Sequence, residues 1–310
     1  MAETRKSAKP RVSRPAQNGP GGQQGSGGTG GLPQQNGSGN QENGAPATEE
    51  GGESPIYRLE DMCIIPGERL VVADHANGLL IFDANGQIVQ HLTAETDTLA
   101  FSVKYDPKNN RLLALILDTP GWRLNVYSVP ENLKLVKQVP LPTPDNVQRM
   151  KLRWLAVGRS ADVFVTIGPY VYLYDQQANK WHMIHKDTRK QAWFSHLTKM
   201  PSEDDRFLVC FRGDVIQEIT LNKKDGMKVF REDILPPETI VEVGTYGIDH
   251  QSNVFVTDWT SGSIVQLSPT YEVVGMIGTV GPNEGCLIAF SENRLYVGCK
   301  NSLVVRAFDA

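Results

Sequence analysis

The chain has 310 residues, with 31 Lys/Arg against 35 Asp/Glu and a formal net charge of −4. A generic nucleic-acid binder, a DNA binder above all, is expected to be basic, so the charge speaks against that class. No apolar run is long enough for a membrane-spanning helix, so no membrane partner is expected.

Taken in chain order, the first element is a tail. Thirteen of the 29 Gly and six of the 19 Pro fall in residues 1–55, where Val12 and Leu32 are the only large apolar side chains after Met1. Such a segment cannot offset the entropy of ordering it. Residues 1–54 are therefore predicted to be a disordered Gly/Pro/Gln-rich tail, and 55–310 the folded domain. The opening MAETRKSAKP has no apolar core of a leader, which predicts a cytoplasmic, reducing setting. Cys63, Cys210, Cys286 and Cys299 fit no zinc spacing and are predicted to be buried thiols. Gly25–Gly31 has the glycine spacing of a nucleotide loop but follows no strand, so it reads as linker.

Past residue 55 the chain reads as short strands in an internal repeat. A polar start followed by an apolar run occurs at Arg69–Val72, Arg111–Ala114, Asp162–Val165, Arg206–Val209, Asn253–Val256 and Arg294–Val297. Successive copies lie 42, 51, 44, 47 and 41 residues apart. Each is preceded by one apolar strand and followed by a third, such as Leu79–Phe82 or Leu303–Phe308. The first five copies add a fourth, as in Gln87–Leu92 and Glu272–Ile277. Four strands per 40–50 residues is the period of a propeller blade. The predicted fold is all-β, a six-bladed β-propeller of four-stranded blades. Its last blade would be closed by an N-terminal strand at Pro55–Leu59, so that no sheet edge stays open.

The first unit reads LVVADHANGLLIFDANGQIV and the fifth VFVTDWTSGSIVQLSPTYEVV. Both resemble the NHL repeat: a strand ending in Val-x-Asp, a Gly-containing polar turn, and a second strand. Asp74 and Asp258 are placed to accept backbone N–H bonds in those turns, and Gly78 and Gly262 to supply their dihedrals. The chain is thus similar to the C-terminal propeller of tripartite-motif NHL proteins, without the Cys/His clusters of their RING and B-box. The resemblance implies binding of other proteins or of single-stranded RNA.

In a propeller the turns after each second strand and before each first strand share one face. On that face the sequence puts Trp122, Arg123, Arg149, Lys151, Arg153, Tyr170, Lys186, Arg189, Lys190, Trp193, Arg212 and Trp259, with Asp74, His75, Asn77, Asp118 and Lys300. Rigid aromatics and arginines are the usual anchors of an interface, and the same mixture can stack bases and hold phosphates. The expected activity is a non-enzymatic scaffold for a protein partner, with single-stranded RNA as the alternative and no cofactor.

A second alternative is a metal-dependent hydrolase like the six-bladed gluconolactonases. Its oxygen ligands would come from Glu60, Asp97, Asn146, Glu242 and Glu284, with His196 beside them. A third, a His-bound zinc as in six-bladed amidating lyases, would draw on His75, His196 and His250.

Overall fold

A computed structural model of the chain describes residues 56–92, 98–118, 121–144, 153–187, 194–201, 205–211, 215–236, 238–292, 294–301 and 304–309. The predicted tail lies outside them.

The apolar runs fold into six antiparallel sheets. The first contains β1 (Leu59–Ile65), β2 (Arg69–Asp74), β3 (Gly78–Phe82) and β4 (Ile88–Leu92), hydrogen-bonded in that order. The second contains β5 (Leu99–Asp106), β6 (Arg111–Asp118), β7 (Gly121–Ser128) and β8 (Lys134–Pro140). In the third are β9 (Arg153–Val157), β10 (Val163–Ile167), β11 (Tyr170–Asp175) and β12 (Lys180–Lys186). The fourth has β13 (Phe194–Lys199), β14 (Arg206–Phe211), β15 (Val215–Asn222) and β16 (Gly226–Arg231). The fifth has β17 (Val243–Ile248), β18 (Val254–Asp258), β19 (Ser263–Leu267) and β20 (Val273–Thr279). The sixth has three strands, β21 (Cys286–Phe290), β22 (Arg294–Cys299) and β23 (Val304–Asp309).

Every repeated run of the sequence is the second strand of its sheet. These strands lie between neighbouring blades and are buried on both faces, which is why they read as continuous rather than alternating apolar stretches. The core is accordingly divided into six clusters, one per blade interface. Val71, Leu79 and Ile81 of the first blade pack on Leu112, Ala114 and Ile116 of the second. The last interface joins Leu59, Met62, Val72 and Leu80 to Leu287, Ala289 and Tyr296, so the sixth blade packs on the first and the ring is complete. The six-bladed propeller predicted from the repeat is the observed fold. All four cysteines are buried, and none forms a disulfide.

Among the described residues the predicted closing strand at Pro55–Leu59 is not formed. Residues 56–58 make no strand, and Leu59 belongs to the innermost strand of the first blade. The reason is local. The backbone N–H groups of Tyr57 and Arg58 both donate to Asp74 Oδ2, at 2.7 and 2.8 Å. They are thereby held on the turn of their own blade. Ile56 and Leu59 are buried in the cluster between the sixth and first blades. The rings of backbone and side chain thus close by packing, and the outer edge of β23 has no partner among the described residues.

The inner strands carry a polar network that sequence reasoning missed. Asp61 on β1 is buried, and its carboxylate accepts from Ser102 Oγ at 2.7 Å, the Val103 N–H at 2.9 Å and Lys104 Nζ at 2.7 Å. Ser102 Oγ in turn accepts the Leu155 N–H at 3.2 Å. One carboxylate therefore ties together the inner strands of three blades, an arrangement that keeps a buried charge satisfied.

Candidate partner-binding face

The turns of the predicted face are built around the two aspartates the repeat pattern singles out. Asp74 is fully buried, and its Oδ1 accepts the Ala76 and Asn77 N–H groups at 3.0 and 2.8 Å, while Oδ2 holds Tyr57 and Arg58. In the fifth blade Asp258 Oδ1 accepts from the Glu242 and Thr260 N–H groups and Oδ2 from Ser261 Oγ. Each carboxylate thus pins the turn after the second strand to the segment entering the first strand. Gly262 adopts φ 75°, and a Cβ there would collide with the Val280 carbonyl, so only glycine suits the turn.

Across the first three blades the face carries a continuous stack. The His75 ring meets Phe101 edge-on at 5.1 Å, and Phe101 lies 4.6 Å from Trp122. The Arg153 guanidinium sits 3.9 Å above Trp122. Trp122 is half-buried, whereas Arg153 is only 3 % exposed. Burial pushes the Arg153 guanidinium down to about 10, still fully charged at neutral pH. The ring faces it with its negative π-surface, which is the compensation such a cation needs. Arg153 therefore stiffens Trp122 and is not itself presented to solvent. Arg123 forms an ion pair with Asp118 beside it.

The remaining described residues of the face divide between two places. On the third blade Tyr170 is half-buried, with the exposed Lys186 ammonium 5.5 Å above its ring. On the fifth, half-buried Trp259 donates its backbone N–H to the Glu242 carbonyl and accepts from the Asn283 N–H, both at 2.7 Å. It thereby joins the segments that enter the fifth and sixth blades. Arg149, Lys151, Arg189, Lys190, Trp193 and Arg212 lie outside the described residues.

Among the described residues, the acidic candidates do not converge as a ligand set. Asp97 and Asn146 lie outside the described residues. Glu60 Oε1 contacts Arg58 Nε at 2.8 Å and His75 Nδ1 at 3.4 Å. Glu284 Oε1 accepts the Asn301 N–H at 2.6 Å, and Glu242 is exposed. Among the described residues no group of three His, Cys, Asp or Glu is placed to hold a metal ion. His75 lies in the turn after β2, whereas His250 follows β17 at the opposite end of the strands, so the histidine set is not assembled. Lys300 reaches the same face from the sixth blade. Burial pushes its ammonium down from the ordinary value, against the pull of Glu60 and Asp61.

Phe101 is the member of the stack that the sequence did not reveal. It occupies an apolar strand position and is buried, where nothing distinguishes a ring stacked on the face's aromatics from one in the core.

The fold and the face define a six-bladed β-propeller in which the turns of the first and fifth blades are cross-linked by carboxylates. No family model matches the sequence, and no curated protein matches it. Solved structures do. A gluconolactonase from Xanthomonas campestris superposes with a TM-score of 0.59 at 12 % identity, covering 83 % of this chain and 87 % of that one. A streptogramin B lyase gives 0.56 at 13 % identity over 83 % and 84 % of the two chains. A protein of unknown function from Bacteroides thetaiotaomicron gives 0.63 at 9 % identity over 81 % and 70 %. Identities this low establish a shared architecture. Within that architecture some neighbours are enzymes and others have no known activity.

Proposed function

We propose that the chain is a non-enzymatic interaction module that binds a protein partner across its loop face. One observation carries the reading: Trp122, Tyr170 and Trp259, from three different blades, stand half-buried on residues whose own backbones are held by hydrogen bonds or by a strand ladder. Anchors held in place before binding lose little freedom on binding, so more of their contact area appears as affinity. The resemblance of the first and fifth blades to NHL repeats supports the same reading. The hydrolase reading has less support, because Glu60 and Glu284 are engaged with protein groups. Among the described residues of the face, single-stranded RNA is favoured by the Lys186–Tyr170 pair, since Arg153 is buried and Arg123 is paired with Asp118.

The test compares the full chain with a variant carrying Tyr170→Ala, Lys186→Glu and Trp259→Ala. Affinity capture from cells is expected to return a protein partner with the parent chain and lose it with the variant. A control, Val136→Lys on the outer strand β8, keeps it. A random single-stranded RNA pool is offered to both at about 50 and 200 mM salt. Enrichment that falls with salt and vanishes in the variant would replace the protein reading with RNA recognition.

A further inference from the structure

The four cysteines are not equivalent. Cys63 lies opposite Val71 on β2, and Cys210 lies opposite His196 on β13 and Ile216 on β15. Cys286, the first residue of β21, lies opposite Cys299, the last residue of β22. We propose that Cys286 and Cys299 form a redox site, in which a peroxide closes a cross-strand disulfide and a small thiol such as glutathione reopens it.

The register makes the two sulfurs neighbours. Directly opposed residues of an antiparallel pair share one side of the sheet. Both thiols accordingly enter the cluster between the fifth and sixth blades, beside Phe255, Ile264 and Val297. The kind of pairing follows from one hydrogen bond, from the Lys300 N–H to the Gly285 carbonyl at 2.6 Å. Residues 285 and 300 are thus a hydrogen-bonded pair. One step along the unbroken register, Cys286 and Cys299 are a non-hydrogen-bonded pair. At such a pair the Cα atoms come within about 4.5 Å, the short end of the ~4.4–6.8 Å that a disulfide spans. The bond can therefore form without a shift of either strand, and a bond made at that limit is the more readily reduced. The thiols are already in hydrogen-bonding contact. That contact, with burial second, holds the Cys286 thiol well above its ordinary value.

One peroxide suffices for closure. A thiolate of the pair attacks a peroxide oxygen, the O–O bond breaks, and hydroxide leaves, so that the sulfur becomes a sulfenic acid. The second sulfur attacks the first, the S–O bond breaks, and the hydroxyl leaves as water with the second thiol's proton. Hydroxide takes up the proton of the first thiol. Two thiols and one hydrogen peroxide give one disulfide and two waters, the two electrons passing from sulfur to peroxide oxygen. Reopening consumes two glutathione thiols and yields two protein thiols and glutathione disulfide.

Burial alone makes a thiol inert. The pair has what Cys63 and Cys210 lack, a second sulfur held in place, so the closing step is intramolecular and outruns further oxidation. The pair also ends its strands, one residue from half-buried Lys300 and two from exposed Asn301. A peroxide, scarcely larger than water, needs only a local opening of that turn. The same turn carries the Asn301 N–H bond to Glu284 Oε1 at 2.6 Å and the Asn283 N–H bond to the Trp259 carbonyl at 2.7 Å. The disulfide adds a covalent tie between these two segments.

The test exposes the full native chain to hydrogen peroxide at about pH 7 and about pH 9, alkylates the remaining thiols in urea, and maps the peptides by mass. The Cys286 and Cys299 peptides are expected to be joined with the loss of two hydrogens, while Cys63 and Cys210 are recovered as thiols. The link should form about tenfold or more faster than Cys63 is oxidised, and faster at the higher pH, where more thiolate is present. Hydrogen exchange at the Lys300 and Asn301 amides should slow in the linked form, and reduced glutathione should restore both thiols. Cys299→Ser should yield no link. Should that variant not fold, Cys63 and Cys210 of the parent chain serve as the internal controls that decide. The proposal is overturned if the pair stays reduced in the native chain at a dose that links it in urea. It is also overturned if Cys63 or Cys210 oxidises as fast, or if the link joins either of them. None of these outcomes depends on the loop-face reading.

Discussion

Asp175 illustrates how single side chains fix this protein's turns. Its Oδ1 accepts the Ala178 and Gln177 N–H groups at 3.0 and 3.1 Å, and Lys223 Nζ lies 2.8 Å from Oδ2. The Ala178 bond first and Lys223 second hold the carboxyl down at about 2, from an ordinary 3.8. A depressed carboxylate stabilises the fold above its unfolded value, and that stabilisation fades as pH falls toward the folded one. Asp175→Asn is therefore expected to lower the urea midpoint at pH 6, with the gap to the parent shrinking between about pH 4 and pH 2. A gap independent of pH would mean that the carboxylate's charge contributes nothing. At this scale the sequence was partly legible. Asp74 and Asp258 announced themselves by position, because a turn that follows a strand has N–H groups to satisfy. Arg153 did not: an arginine beside a loop reads as solvated, and its Trp122 partner is 31 residues away. Asp61 was silent for the same reason, with acceptor and donors 41 to 43 residues apart.

Blades are legible from strand content, whereas their contacts are not. The six repeated runs marked the starts of the second strands within one residue, since burial on both faces favours apolar side chains there. The closing strand failed because its residues had a competing use. The Asp74 carboxylate takes the Tyr57 and Arg58 amides, and no periodicity in the sequence reports that bond. Between blades, the fit depends on single positions. At Gly298 on β22 an added methyl would overlap Leu59 Cδ2 and press on Met62 Sδ at 3.2 Å. Gly298→Ala is expected to cost about 1–3 kcal/mol by overpacking. Adding Leu59→Val should recover part of it, as read by a double-mutant cycle in urea. Strict additivity of the two changes would show that the sixth and first blades do not meet there.

Over the whole molecule the core is a succession of clusters, one at each blade interface, and the thiols report on several of them. Burial pushes Cys63 up to about 12, so its reactive thiolate is scarce at neutral pH and shielded as well. Cys210, Cys286 and Cys299 are buried in the other interfaces. Alkylation by iodoacetamide should therefore be slow in the native protein and follow global unfolding, with the four sites reacting at similar rates. Rapid labelling of Cys286 and Cys299 alone would instead identify the sixth blade as a unit that opens by itself.

The interface between the last blade and the first also has a mechanical consequence. At five interfaces the polypeptide itself crosses from one blade to the next. At the sixth, among the described residues, an apolar cluster that includes Ile56, Leu59, Met62, Val305 and Ala307 joins the two blades. A tensile load applied through Ile56 and Phe308 meets no covalent crossing there. It parts the two faces like a clasp, and the ring springs open into an arc of blades before any of their sheets is torn.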